Sequence, residues 1–155
     1  MTKRVAVIGA GPGGLIVAHW LLSQGFEPTI FEQGPTLGGQ WTGLHGRSGV
    51  WPTMHANTSR IMTAFSDQEH VSALVYPSNR DILDYLHRYA ETFGITSRIR
   101  FDTQVELLKR DGNGWLVGHA GMQERFERVV VATAGSIRPL SRPYRGSTGS
   151  PGRPA

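Results

Sequence analysis

Cysteine is missing from all 155 residues. Disulfides, cysteine–zinc sites, Fe–S clusters and thiol nucleophiles are therefore excluded. Long apolar runs are missing too. Met-Thr-Lys-Arg at the N-terminus leads straight into residues 5–8, which are too few for a signal segment or a membrane span, so a cytoplasmic location is expected. Charge of one sign is scarce over most of the chain. Residues 1–137 hold 12 Lys/Arg and 12 Asp/Glu, and the net +4 comes from Arg138, Arg142, Arg145 and Arg153. A nucleic-acid footprint needs a basic face on a fold, and the body supplies none, so no nucleic-acid partner is expected. The 6 histidines show no H-x-x-x-H or H-x-H spacing, and no metal site is expected. His87 and Glu91 share a helix face but read as a solvated pair. A G-x-S-x-G elbow is absent, which argues against a serine hydrolase.

What is present is a hydrophobic fraction of 39%, enough for a core in a chain the length of one domain. There are also 20 glycines, well above the usual ~7%. Residues 5–8 are apolar and β-branched and are closed by Gly9, the pattern of a buried parallel strand. A helix follows over 15–22, ended by Gly25, and then a second strand over 28–32. Such a β-α-β unit implies a right-handed crossover in a parallel sheet. Residues 34–60 read as a long functional loop with two tryptophans. Ser78 and Asp81 open another helix, along which Ile82, Leu86, Tyr89 and Phe93 recur before Gly94. Residues 98–108 read as extended, Asp111-Gly112-Asn113-Gly114 as a hairpin turn, 115–119 as its return strand, and 126–132 as a buried strand. The fold class expected is α/β: a Rossmann-like domain with a parallel sheet and a small β-hairpin or meander.

Chemistry enters at Gly9-Ala10-Gly11-Pro12-Gly13-Gly14, where Gly9, Gly11 and Gly14 fit G-x-G-x-x-G. The first glycine permits the tight turn, the second lets backbone approach a pyrophosphate, and the third lets helix pack on strand. The helix N-terminus then offers amides to the phosphates. Glu32 ends the next strand, 18 residues after Gly14, and is placed to accept hydrogen bonds from ribose hydroxyls. Its carboxylate disfavours the 2′-phosphate of NADP, so the motif fits FAD or NAD and does not separate them. A purely structural glycine turn is the bland alternative.

The segments that follow separate them by resemblance. Gly38-Gly39-Gln40-Trp41, Gly46-Arg47-Ser48, Asn57-Thr58-Ser59-Arg60 and Phe65-Ser66-Asp67, together with Tyr76-Pro77, Tyr85-Leu86 and Val105, resemble the flavin-containing monooxygenase family over nearly all of residues 3–135. The resemblance implies an N-terminal FAD-binding portion, with Gly9, Gly11, Gly13, Gly14 and Glu32 at the dinucleotide. It further implies Gln40 and Trp41 along the flavin and the Val105 backbone at the adenine. It implies Asn57 as the catalytic residue beside the reactive flavin edge, although Ala56 stands where threonine is common. Val129-Val130-Val131-Ala132-Thr133-Ala134-Gly135 resembles the second strand-to-glycine motif, which brings Ala132 near the dinucleotide; Ala134 replaces the expected glycine. A core tryptophan and a turn asparagine are the alternative readings of Trp41 and Asn57.

In the resembled family NADPH reduces FAD, and one oxygen atom of O2 passes to a soft nitrogen, sulfur or carbonyl substrate. The partners implied are thus a small molecule and O2. A second G-x-G-x-x-G for NADPH is absent, since Gly112-Asn113-Gly114 lies in a hairpin with Val117 at the third position. Of residues 138–155, 15 are Arg, Pro, Gly, Ser or Thr, a composition that out-of-frame translation of GC-rich DNA also gives. The expectation is an FAD-binding domain over 1–137 with a coreless tail over 138–155, inactive alone; a non-catalytic FAD- or nucleotide-binding module is the alternative.

Overall fold

The structure is a computed structural model that describes residues 3–44 and 49–133. The expectations for Gly46-Arg47-Ser48, for Ala134 and Gly135, and for 138–155 lie outside the described residues.

Strand β1 (Arg4–Ile8) runs into helix α1 (Pro12–Ser23) and returns as β2 (Glu27–Phe31). The helix begins three residues earlier than its apolar face suggests, because Pro12 occupies its first turn, where a missing N–H costs nothing. A 3-10 turn at Gly39–Thr42 and the single-turn helix α2 (Arg60–Thr63) interrupt the long loop, and helix α3 (Asn79–Thr92) follows. Its start is the expected capping box: Ser78 Oγ accepts from the Asp81 amide, and the Asp81 carboxylate accepts from the Ser78 amide. After a 3-10 turn at Thr96–Arg98 come β3 (Ile99–Arg100), β4 (Val105–Asp111), β5 (Gly114–His119), β6 (Met122–Phe126) and β7 (Arg128–Val131).

Strands β3, β2, β1 and β7 form a parallel sheet in that order, while β4, β5 and β6 form an antiparallel meander. The first three parallel strands stand in the order 3-2-1 of a Rossmann-like βαβαβ half, and β7 adds a fourth strand beside β1. The sheet is the middle of three layers, and side-chain alternation assigns its faces. Val7 and Ile30 join Leu15, Ala18, Ile82, Tyr85, Leu86 and Tyr89 in the core beneath α1 and α3. Ala6, Ile8 and Phe31 point the other way and meet Val117 and Phe126 of the meander.

Three expectations about strands need correction. The extended stretch 98–108 is two strands in two sheets, because the chain leaves the parallel sheet after Arg100 and turns at Asp102, whose φ is +50°. Aspartate tolerates that left-handed conformation. The stretch 126–132 likewise ends β6 at Phe126 and starts β7 at Arg128. Nor is β7 fully buried. It lies at the end of the described sheet, with Val131 half-exposed and Val129 and Val130 partly covered.

Candidate functional site

The C-terminal ends of β1 and β2 carry the predicted glycine turn and Glu32. Gly9 takes φ +102°, and its amide donates to the Phe31 carbonyl at 2.8 Å, locking the turn to the neighbouring strand. A Cβ on Gly14 would lie 1.9 Å from the Gly9 carbonyl oxygen, so only glycine lets α1 start this close to β1. At Gly11 a Cβ would meet only Gly39, at 3.6 Å, and at Gly13 nothing within 4 Å. Gly9 and Gly14 thus serve the fold, Gly13 faces open space, and a Cβ on Gly11 would be accommodated in contact with Gly39. The first helical bond is Leu15 N–H to the Gly11 carbonyl at 3.0 Å, so the Gly13 and Gly14 amides have no acceptor within the helix. No acidic residue sits in the first turn of α1 to take them. The surroundings fit a phosphate group: backbone donors, a positive helix end and space that a side chain would fill.

Glu32 is only 5% exposed, and its carboxylate is already engaged. Oε2 accepts from the Ala10 amide and Oε1 from the Gly34 amide, each at 2.8 Å. Its backbone N–H donates to the Arg100 carbonyl at 3.0 Å, and its carbonyl accepts from the Thr103 amide at 2.8 Å. Glu32 therefore joins the glycine turn, the loop after β2 and the β3–β4 crossing. Each carboxylate oxygen keeps a further lone-pair direction for a hydroxyl donor. Sequence reasoning found Glu32 but not Gly34, Arg100 or Thr103, whose roles are carried by backbone atoms and leave no side-chain signature.

The second predicted motif comes down on the first. The Gly38 amide donates to the Ala10 carbonyl at 2.9 Å, and a Cβ on Gly39 would stand 3.0 Å from Gly11 Cα. Gln40 next to it is exposed, and Trp41 is partly buried against the core beneath α1 and α3. Ala132 closes the other side: its amide donates to the Ile8 carbonyl at 2.9 Å, and its own carbonyl faces Gly9. Gly9, Gly11, Gly14, Glu32, Gly39 and Ala132 are thus brought together from four chain segments.

Val105 and Asn57 lie on other segments. Val105 starts β4, opposite His119, and packs on the core between sheet and meander. Asn57 is exposed, just after Ala56, whose amide donates to the Pro77 carbonyl at 2.8 Å. What anchors this part of the chain is Phe65-Ser66-Asp67. The Phe65 ring packs edge-on against Tyr89, 4.7 Å between centroids. The Asp67 carboxylate accepts from the Tyr89 hydroxyl at 3.1 Å and lies 2.9 Å from His19 Nε2 on α1. The Tyr85 hydroxyl accepts from the Phe65 amide and donates to the Gln68 carbonyl, both at 2.8 Å. Burial and the nearby Asp67 charge push the Tyr89 hydroxyl well above the usual phenol range. Among the described residues no group of His, Asp and Glu is arranged to hold a metal ion.

The flavin-binding monooxygenase-like family model matches residues 2–123, which hold all of these segments except that of Ala132. The chain belongs to that family. Flavin-containing monooxygenase 1 of Canis lupus familiaris is 33% identical over 150 residues, covering 86% of this chain and 28% of the relative. Dimethylaniline monooxygenase [N-oxide-forming] 2 of Rattus norvegicus is 32% identical over 155 residues, covering 90% and 29%. Among solved structures, S-allyl-L-cysteine S-oxygenase from Allium sativum superposes with a TM-score of 0.76 at 28% identity, over 84% of this chain and 36% of that one. An oxidized steroid monooxygenase bound to NADP gives 0.74 at 30% identity, over 84% and 26%. The chain thus spans under a third of the length of the curated relatives it matches. Its family is one of FAD-dependent monooxygenases, which are oxidoreductases. No described helix is long and apolar enough to cross a membrane.

Proposed function

We propose that this chain is the FAD-binding part of an NAD(P)H-dependent flavoprotein monooxygenase that acts on a soft nucleophile or a carbonyl compound. The observation that carries the reading is the glycine turn over the C-terminal ends of β1 and β2, with Gly39 laid against Gly11, open space at Gly13 and unpaired amides at the start of α1. The Gly13 and Gly14 amides hold the pyrophosphate, and Glu32 accepts from the adenosine ribose. The Val105 backbone meets the adenine, and Ala132 borders the dinucleotide. Gln40 and Trp41 run along the flavin, and Asn57 donates a hydrogen bond at its reactive edge. FAD, when bound, supplies the redox chemistry with O2; the protein binds and orients it and limits access of water.

Titration of the purified chain with FAD, followed by quenching of flavin fluorescence, tests this reading. Wild type binds, and Gly11→Val, whose side chain enters the pyrophosphate space, weakens binding by more than about tenfold. Equal affinity in the two proteins sinks the assignment. A second reading is a nucleotide-binding module without turnover, which the same glycine turn and Glu32 would serve. NADPH oxidation by the FAD-loaded chain at the rate of free FAD supports that module, and a substrate-dependent excess supports the enzyme.

A further inference from the structure

One carboxylate outside the glycine turn ties its own strand to three others. Glu124 lies on β6, and its side chain is mostly covered. It is paired with the Arg100 guanidinium from β3, accepts from Arg4 Nη2 of β1 at 3.1 Å, and lies 2.9 Å from His119 Nε2 of β5. The cations are seated on rings: Arg4 lies 4.5 Å from the centroid of Phe126, and Arg100 5.3 Å from that of Phe31. His119 is 3% exposed and packs 5.0 Å from Phe31.

Two of these partners lead to the adenosine end of the proposed site. Arg100 carries the backbone carbonyl that accepts the Glu32 amide, so the β3 edge and Glu32 move together. His119 is the residue opposite Val105 in the β4–β5 ladder. Glu124 therefore sets the position of β3 through Arg100 and of the start of β4 through His119. Strand β3 is two residues long, with register pairs Ile30–Ile99 and Phe31–Arg100; Ile99 packs on the core, and Glu124 is the acid that pairs with the outward-facing Arg100 side chain.

We infer that Glu124 is a positioning residue for the adenosine half of the bound dinucleotide, acting through Arg100 on Glu32 and through His119 on Val105. This rests on the FAD reading above, and it adds a residue that touches no ligand. Its recognition chemistry is that of an adenine nucleoside diphosphate. The flavin half of the cofactor is not involved.

The test uses the full chain with Glu124→Ala and Glu124→Gln, at a temperature where far-ultraviolet circular dichroism shows each variant folded. Affinities for FAD and for ADP are measured, with hydrogen exchange of the apo proteins alongside. In Glu124→Ala both ligands weaken by the same factor, about tenfold. Glu124→Gln keeps one acceptor oxygen and loses less, and it carries the test should Glu124→Ala not fold. In both variants the Glu32 and Thr103 amides exchange faster, while those of β1 keep their protection; a general loss of stability speeds all of them together. Unchanged FAD and ADP affinities, or unchanged exchange at Glu32 and Thr103, overturn the inference. Failure of wild type to bind FAD overturns the FAD reading instead, and the exchange measurement still decides whether Glu124 positions Glu32.

Discussion

Gly11 and Gly14 stand three residues apart, and their environments separate folding from binding. A methyl on Gly14 would overlap the Gly9 carbonyl at 1.9 Å, and that neighbour is backbone, which cannot swing aside as a flexible side chain can. Gly14→Ala is expected to cost about 3 kcal/mol or more, read as a lower urea midpoint. Gly11 has φ −77°, an ordinary value, and its nearest neighbour would be at van der Waals distance. Gly11→Ala should keep the wild-type urea midpoint and lose FAD affinity, which distinguishes a ligand position from a packing one. Glu32 combines both roles. Glu32→Gln turns one acceptor oxygen into an NH2 facing a backbone N–H, at the Ala10 or the Gly34 contact. A loss of about 1–3 kcal/mol in apo stability is expected, before any ligand is added. Asn57 differs again: Asn57→Ala should leave FAD affinity unchanged, and a tenfold loss would make it a binding residue. Gly9 and Gly14 were legible in the sequence because each answers a local steric demand, and Gly11 because it completes the G-x-G-x-x-G spacing. The four bonds of Glu32 were not, because Arg100 and Thr103 arrive from distant sequence through their backbones.

Among the elements, those specified locally were read most accurately. Helix α3 has its capping box and its regular apolar stripe, with Ile82, Leu86 and Tyr89 buried as their spacing requires. Ser78→Ala should lower stability by about 1 kcal/mol in thermal unfolding, the usual worth of an N-cap. Strands were harder. Residues 98–108 and 122–131 are extended on both sides of a break, and the breaks at 102 and 127 follow from which sheet each half joins. The third meander strand, β6, was missed for the same reason. Glu124 on that strand makes the docking of meander on parallel sheet sensitive to pH. Hydrogen bonding from Arg100, then from His119 and Arg4, holds its carboxyl down at about 2, and burial opposes this only in part. A carboxyl depressed on folding stabilises the protein fully above its unfolded value of 4.5, and that stabilisation fades as pH falls towards 2. The stability difference between wild type and Glu124→Gln should therefore be constant from pH 7 to about 5 and shrink below that. A difference independent of pH down to 2 would show that the Glu124 carboxylate gains nothing from the cluster.

At the scale of the molecule, the described residues form three layers around two buried clusters, with an apolar exterior on one stretch of chain. Leu44, Trp51, Ile61, Met62, Val71, Leu74, Val75 and Tyr76 are all exposed, Ile61 at 78% and Met62 at 75%. Scattered apolar residues are normal on a surface, but so many within one segment mark an interaction face or an association liability. From Ala56 to Pro77 the segment is held at several points. Its backbone is bonded across itself between Ala56 and Pro77 and between Arg60 and Val75, and it is tied to the core helix α3 through Phe65 and Tyr85. Side chains on a fixed backbone have limited freedom to fold back over one another, so their apolar area stays in water until a partner covers it. The relatives offer a comparison of scale, since this chain matches under a third of their length. Purified alone, the chain should self-associate with rising concentration in sedimentation velocity and should enhance the fluorescence of an apolar dye. The turn of α2 is the place to intervene, because Ile61 and Met62 are the most exposed of the set and neither joins the buried core. Ile61→Lys with Met62→Lys should reduce both signals while leaving the urea midpoint and the FAD affinity as in wild type. A wild-type chain that stays monomeric and binds no dye would mean that its own residues cover this face, and the lysine pair would then be expected to lower stability instead.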